Sequence, residues 1–428
     1  MKKHLISTTY AILASIACIP LVFGQQQQAT EPDERAGRSA QLTLDDLRTF
    51  TDVFNQARKN YVEEVDDKTL LDAAIRGMLM ELDPHSSFLP ANELEDLNDA
   101  SLGRYSGVGI DVQAVEGRIE VKALINDSPA DRAGMNPGDI ITSIDGRPVR
   151  GRPLPEAMDE LTGEPDTEVV LKVLSPGEGE REISITRRYI QIPTLSFQLL
   201  DDTFGYFKMS QFHQSSSADL ESSLDSIKND GIVMKALILD LRGNPGGVLR
   251  QAVAIADGFL DSGNIVSTRG RNATMQLEFN AEPGQWLPGV PLMILVDYGT
   301  ASASEVLAGA LQDQRRALIV GERTFGKGSV QSVLPLRNGA GIKLTTARYY
   351  TPSGRSIQAE GIEPDVVIVW ESEGSEDDGK LREIDLERHL AVESGPGTAG
   401  VTSADYGLDE LPLQDVLNAL REAEAIPD

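Results

Sequence analysis

A serine hydroxyl attacks a carbonyl only beside a base, and this chain offers few groups that can serve. Its four histidines, His4, His85, His213 and His389, are isolated in sequence, and no H-E-x-x-H pair occurs. Each reads more readily as a surface or capping histidine than as a ligand. The G-x-S-x-G pattern that lifts a serine onto a strand-to-helix turn is absent. Cys18 is the sole cysteine, which excludes an intrachain disulfide and a cysteine-based metal site. A histidine-assisted serine is thereby disfavoured, although a triad assembled in space leaves no sequence pattern, and a serine paired with a lysine is another reading.

Ser302 lies in Thr300-Ala301-Ser302-Ala303-Ser304-Glu305, between an apolar run ending at Val296 and the helical Val306-Leu307-Ala308-Gly309-Ala310-Leu311. Small residues let the backbone pass close to a ligand there. They also put a hydroxyl at a helix N-terminus, where unpaired N–H groups and the helix dipole favour a developing oxyanion. The same residues read equally as a capping box, with Ser302 as N-cap and Glu305 at the third helical position. Lys327, in Gly326-Lys327-Gly328, is the base candidate. A lysine of ordinary pKa, about 10.4, is only about 0.04% neutral at pH 7, whereas one lowered to about 7.5 is neutral in roughly a quarter of molecules. A crowded apolar site, with Phe325 and Val330 contributing, is part of what this chemistry requires.

Lys327 also ends Gly321-Glu322-Arg323-Thr324-Phe325-Gly326-Lys327, the first seven positions of a phosphate-binding loop. Gly328 stands where the magnesium-binding Ser or Thr belongs, and residues 329 to 335 alternate like a strand instead of opening a helix. A nucleotide-dependent enzyme is therefore disfavoured, and no cofactor or metal is implied.

The elements that must position these residues follow from periodicity. Ala236-Leu237-Ile238-Leu239, Leu292-Met293-Ile294-Leu295-Val296 and Ala317-Leu318-Ile319-Val320 are apolar runs separated by helical stretches, the pattern of an α/β core with buried strands. Residues 189–370 are assigned to it. Upstream, residues 104–188 change to short β-rich runs with Gly and Pro between them, a small separate domain. Residues 41–103 carry apolar stripes at helical spacing, Leu44 to Ala57 and Leu70 to Leu79, before Asp83-Pro84-His85-Ser86 breaks the second helix. Residues 371–428 comprise an acidic linker and a C-terminal helical segment around Leu413, Val416, Leu417 and Leu420. Two stretches there, 371–380 and 394–407, read as linkers.

The first residues bear on location. Lys2 and Lys3 precede an uncharged apolar run from Leu5 to Phe23, so residues 1–24 read as an export signal cut after Gly24, with an uncleaved anchor as the alternative. Lipidation at Cys18 is weakened by Ser15-Ile16-Ala17, which lacks the expected leucine. Residues 25–40, with four consecutive glutamines, read as a tether. A periplasm-like compartment fits. The 428 residues carry 39 Lys and Arg against 67 Asp and Glu, a net charge of −28, which excludes nucleic acid as a partner of any extent.

The run Thr300 to Glu305, followed by Gly321-Glu322 and Phe325-Gly326-Lys327-Gly328-Ser329-Val330-Gln331, resembles the carboxyl-terminal processing, or tail-specific, peptidases. Asp240-Leu241-Arg242-Gly243-Asn244-Pro245-Gly246-Gly247 and Asp83-Pro84-His85-Ser86 extend the resemblance over most of the chain. It implies an α/β protease core near the crotonase-like and Clp-protease-like folds. Ser302 is then the nucleophile, Lys327 the base, and Gln331 the residue that orients the lysine. With permissive dihedrals, Gly246 or Gly247 can aim an N–H at the scissile carbonyl, paired with the N–H of Ala303.

The small domain resembles a PDZ domain. Ser106-Gly107-Val108-Gly109-Ile110 stands where that fold places its carboxylate-binding loop, and Ser128-Pro129-Ala130, Gly138-Asp139-Ile140-Ile141 and Ile144-Asp145-Gly146 follow in the expected order. Consecutive N–H groups around Gly107, Val108 and Gly109 would form a nest for a terminal carboxylate, while the peptide adds as a strand from Ile110 onward. A plain hairpin turn is the other reading. The expectation is an exported serine endopeptidase acting near the C-termini of protein or peptide substrates. Lacking an ATP site, it needs tails that are already accessible or delivered by an adaptor protein. Apolar stripes at both chain ends suggest a homo-oligomer, with packing onto their own core as the other reading. The competing expectation, a PDZ scaffold or holdase with a vestigial site, is disfavoured because Ser302, Lys327 and Gln331 are retained together.

Overall fold

A computed structural model describes residues 42–368, apart from 116 and 178, together with 380–392 and Asn418. The export signal, Cys18, the tether, most of the acidic linker and, except for Asn418, the C-terminal helix lie outside the described residues.

Residues up to Leu70 make a unit of their own. Its helix Leu44–Asn60 starts at a capping box, in which Thr43 Oγ1 accepts the N–H of Asp46 at 3.2 Å and Asp46 Oδ2 accepts that of Thr43 at 2.8 Å. The helix buries none of its residues, and Leu44, Leu47, Phe50 and Val53 are exposed. No helix among the described residues is long and apolar enough to cross a membrane.

The rest of the chain is built around a six-stranded sheet. Phe204–Met209, Ala236–Asp240, Leu292–Val296, Ala317–Gly321 and Val366–Val367 run parallel in that order, and Leu195–Leu200 closes one edge antiparallel to Phe204–Met209. All five residues of each of the three central strands are buried, as continuous apolar runs in a parallel sheet should be. Helices Ser216–Asn229, Leu249–Phe259 and Ala303–Asp313 supply the other half of the core, through Leu224, Ile255, Phe259, Leu307 and Leu311.

A second, five-stranded antiparallel sheet contains Ser87–Leu89, Gly341–Tyr350, Asn264–Arg269 and Leu277–Asn280, with Ser329–Pro335 also paired to Gly341–Tyr350. The chain passes from the first sheet at Gly321 to the second at Ser329, so residues 322–328 bridge the two. Lys327 stands on that bridge.

Between Arg104–Gly107 and Arg188–Gln191, which pair antiparallel, a further sheet of six strands folds around Val121, Ile144, Val169, Leu171 and Val173, all with no exposure. Entry and exit of this small domain are thus zipped together.

Candidate active site

Three adjacent parallel strands end at the same side of the sheet, and each hands the chain to one part of the site. Ala236–Asp240 leads to the glycine loop, Leu292–Val296 to the serine turn, and Ala317–Gly321 to the lysine turn. The crevice beyond the carboxyl ends of parallel strands is where open α/β sheets bind ligands.

Ser302 has φ +56° and ψ −115°, a conformation that costs a non-glycine residue about 1–3 kcal/mol and persists only where its surroundings enforce it. They do so here. The N–H of Ala301 donates to Asn244 O at 2.9 Å, and that of Ser302 to Glu305 Oε2 at 2.7 Å. Thr300 Oγ1 donates to Leu241 O at 2.9 Å, and the Phe325 N–H to Thr300 O at 3.0 Å. The glycine loop is fastened to the same turn, since Ser304 Oγ donates to Asn244 O at 3.1 Å.

The two glycines differ. The buried Gly246 donates its N–H to Asn244 Oδ1 at 2.9 Å, so that amide is engaged. The exposed Gly247 donates to no acceptor among the described residues, and neither does Ala303 at the start of its helix. A side chain at Gly246 would meet Ser302 Cβ at 2.9 Å and the Ala303 nitrogen at 3.0 Å, and φ of +101° there already favours glycine. The loop therefore lies against the serine with nothing between them.

Glu305, which spacing marks only as a helix cap, is fully buried and joins the two turns. Its Oε1 accepts Thr324 Oγ1 at 2.5 Å and the Gly326 N–H at 2.7 Å, and its Oε2 accepts the N–H groups of Ser302 at 2.7 Å and Lys327 at 2.8 Å. Burial pushes its carboxyl up to about 7, against the pull of these donors. Four donors and no acceptor around one carboxylate suit its ionised form.

Lys327 is partly buried, and burial foremost lowers its pKa, helped by the nearby positive charge of Lys343. Glu383, Glu305 and Asp83 act in the opposite sense. The lysine chemistry requires that net direction. No hydrogen bond joins Lys327 Nζ to Ser302 Oγ or to any other described residue. Gln331, expected to orient the amine, instead donates from Nε2 to Thr345 Oγ1 at 2.9 Å and to Ser329 Oγ at 3.2 Å.

In the small domain Gly107 ends one strand and Ile110 begins the next, and Val108 and Gly109 form the loop between them with their carbonyls engaged. Val108 O accepts from Ala130 N at 2.9 Å, and Gly109 O from Ile125 N at 3.0 Å and Ser128 Oγ at 3.1 Å. The N–H groups of Val108 and Gly109 donate to no acceptor among the described residues. Beside them a cavity of about 320 Å³ is lined by Tyr105, Val108, Gly109, Ile110, Met158, Leu161 and Thr162. The adjoining strand Ile110–Val115 is an edge of its sheet, paired only with Arg118–Leu124.

A strained serine at a helix N-terminus, a partly buried lysine and a glycine loop at the carboxyl ends of adjacent strands, with a cavity in a separate small domain, define a serine-type peptidase with a PDZ domain. Comparison with known proteins agrees. The pattern of peptidase family S41 matches residues 203–368, that of the PDZ domain residues 120–175, and that of the activating protease CtpB N-terminal domain residues 8–92. A carboxy-terminal-processing protease from Bartonella bacilliformis is 39% identical over 390 residues, covering 89% of both chains. Carboxy-terminal processing protease CtpA from Bacillus subtilis is 33% identical over 315 residues, covering 73% of this chain and 67% of that one. Among solved structures, a photosystem II D1 C-terminal processing protease is 31% identical with a TM-score of 0.47, covering 79% of this chain and 92% of that one. The chain belongs to the carboxy-terminal-processing protease family, and it is an enzyme rather than a scaffold.

Proposed function

We propose that this protein is an exported endopeptidase that cleaves protein substrates near their C-termini with a Ser302–Lys327 pair, its PDZ domain holding the substrate's terminal carboxylate. The observation that carries the reading is the juxtaposition of the strained Ser302 and the unengaged Ala303 amide with the glycine loop at Gly246, beside a turn that delivers a partly buried lysine.

Neutral Lys327 takes the Ser302 proton as Oγ bonds to the scissile carbonyl carbon. The carbonyl π electrons move to oxygen, and the Gly247 and Ala303 amides receive the oxyanion. The C–N bond then breaks as the lysine ammonium returns its proton to the leaving amine. Water hydrolyses the acyl-serine by the same route, with the lysine again as base. Catalytic hydrogen bonds tighten when substrate binds, which accommodates the unjoined Ser302 and Lys327. Gln331 acts on the lysine only at a distance, through the strand it shares with Ser329.

The PDZ loop offers the Val108 and Gly109 amides to the carboxylate, its cavity takes the last side chain, and the tail adds to the free edge of Ile110–Val115. The apolar N-terminal run supports export to the periplasm. The exposed stripe of Leu44–Asn60 supports a homo-oligomer, and delivery by an adaptor is a further part of the reading.

An active-site serine reagent should label the mature protein and fail to label Ser302→Ala. Lys327→Ala and Lys327→Arg should lose peptide turnover, because arginine keeps its proton at working pH. Substantial turnover by the arginine variant would end the assignment of the base.

A further inference from the structure

The lysine turn is gripped from two sides, by Glu305 within and by a C-terminal strap without. Residues 380–392 lie between the two stretches read as linkers and beyond the part matched by the S41 pattern, yet they return to the core. Glu383 within them is fully buried. Its N–H donates to Phe325 O at 3.1 Å. Its Oε1 accepts Gln358 Nε2 at 2.8 Å, and Gln358 Oε1 accepts the Gly328 N–H at 3.1 Å. Glu383 therefore reaches both ends of the turn, directly at Phe325 and through Gln358 at Gly328. Its Oε2 pairs with His85 Nε2 at 2.7 Å, a contact between residues 298 apart in sequence. His85 is set by its own turn, where Asp83 Oδ1 accepts the N–H groups of His85 and Ser86 at 2.8 Å each. Lys380, paired with Glu322 at 2.7 Å, and Arg388, paired with Glu81 at 2.9 Å, fasten the strap on either side.

Glu383 offers one carboxylate oxygen to Gln358 and the other to His85, a pair of acceptors that a neutral amide cannot supply, and a buried carboxylate is costly without such partners. The carboxylate also brings negative charge to bear on the lysine. We propose that Glu383 and His85 are positioning residues for Lys327, holding the Phe325 to Gly328 turn in place and setting the field at the lysine amine. The proposal rests on the reading of Lys327 as base. Four charged groups act electrostatically on that amine. They are Lys343 from Gly341–Tyr350, Glu305 from the serine helix, Asp83 from the turn before Ser87–Leu89, and Glu383 from the strap, itself paired with His85. Lys343 disfavours the ammonium and the three carboxylates favour it. Removing the Glu383 charge should therefore let neutral lysine form at lower pH, even as the loosened turn lowers the maximal rate.

The test is kcat and KM against pH on one peptide substrate, using the full mature chain. Glu383→Gln should move the rising limb of kcat about half a pH unit or more toward acid and lower its plateau about ten-fold, with KM nearly unchanged. Lys343→Gln should move the limb the other way. His85→Gln keeps an N–H donor toward Glu383 and should keep most of the rate that His85→Ala loses. A lowered plateau with an unmoved limb in Glu383→Gln would reduce the strap to a structural part and overturn the proposal. Should that variant fail to fold, Glu383→Asp retains the charge and must leave the limb in place, and a moved limb there overturns it equally. Lys327→Met distinguishes the two levels. Activity in that variant ends the base reading itself, whereas its inactivity beside an unmoved Glu383→Gln limb overturns only the role of the strap.

Discussion

The lysine turn from Phe325 to Gly328 and the PDZ loop from Gly107 to Ile110 are both short glycine-bearing turns, but they distribute their backbone groups in opposite ways. In the lysine turn all four N–H groups are donated: Phe325 to Thr300, Gly326 and Lys327 to Glu305, and Gly328 to Gln358 and the Gly326 carbonyl. In the PDZ loop the carbonyls of Val108 and Gly109 are held and their N–H groups point at no described acceptor. The first arrangement leaves the turn one conformation, as the proposed base would require in order to meet a hydroxyl. The second fixes the loop by its acceptors and leaves its donors unengaged, as the proposed anion nest would require. Rigidity is common to both. What differs is which backbone groups supply it.

Breaking the lysine side should produce the largest effect. Glu305→Ala strands four donors, three of them backbone amides, around a side chain that has no exposure. Loss of about 3–5 kcal/mol of stability and a fall in kcat of about 100-fold or more are expected. Thermal unfolding and kcat, measured below the new transition, check both. A destabilised but fully active enzyme would show that the two turns hold their register without the shared carboxylate.

Breaking the PDZ side should leave chemistry intact and remove discrimination. The unmodified enzyme should prefer a peptide with a free carboxylate over its C-terminal amide by about 10- to 150-fold in kcat/KM, the worth of a charge-assisted hydrogen bond. In Gly109→Ala the added Cβ would lie 2.3 Å from Ser128 Cβ at a backbone φ of +84°, so the loop must move. That variant should cleave both peptides alike, at the rate the unmodified enzyme gives the amide. Equal rates by the unmodified enzyme would place selection in the protease core.

The two turns also mark what a sequence can disclose. Runs such as Leu292–Val296 announce buried strands because every residue is apolar, and Ser302 announces a helix start because small and capping residues cluster there. Glu305 reads as a cap and is one. Its contacts to Thr324, Gly326 and Lys327 lie about twenty residues on, where no local pattern reaches. His85 reads as isolated because its partner, Glu383, comes after a stretch of linker composition and nearly three hundred residues of chain. Which of Gly246 and Gly247 leaves its amide unengaged is closed to sequence for a different reason. It depends on where the Asn244 side chain turns, which composition does not encode.

Gln331 sharpens the lysine side at a smaller scale. Bonded to Thr345 and Ser329 instead of Lys327, it should influence the base only by steadying the start of Ser329–Pro335. Gln331→Ala is expected to lower kcat several-fold, on the order of 1 kcal/mol, with the pH limb unmoved. A loss comparable to that of Lys327→Ala would mean that the amide swings onto the amine when substrate binds.

The smallest effect concerns stability and tests why the lysine turn must be held so firmly. Lys327 has its pKa lowered by burial and by Lys343, so folding favours the neutral amine. Between the lowered folded value and the ordinary value of 10.5, the unfolded chain binds more protons than the folded one, so this group makes stability rise with pH across that window. Below the window both states are protonated, and the folded protein bears the whole cost of an ammonium in a confined site. Lys327→Met keeps the length of the side chain and discards that cost. The inactive variant should be more stable than the parent at neutral pH by roughly 1 kcal/mol, about 2–4 °C in Tm for a core of this size. The gain should shrink as pH rises toward 10, because the parent then loses its proton and the two side chains become alike in charge. Paired thermal melts at pH 6, 8 and 10 decide the matter. A gain that stays constant over this range would come from packing alone, and the lysine would then be held by its neighbours without being strained by them.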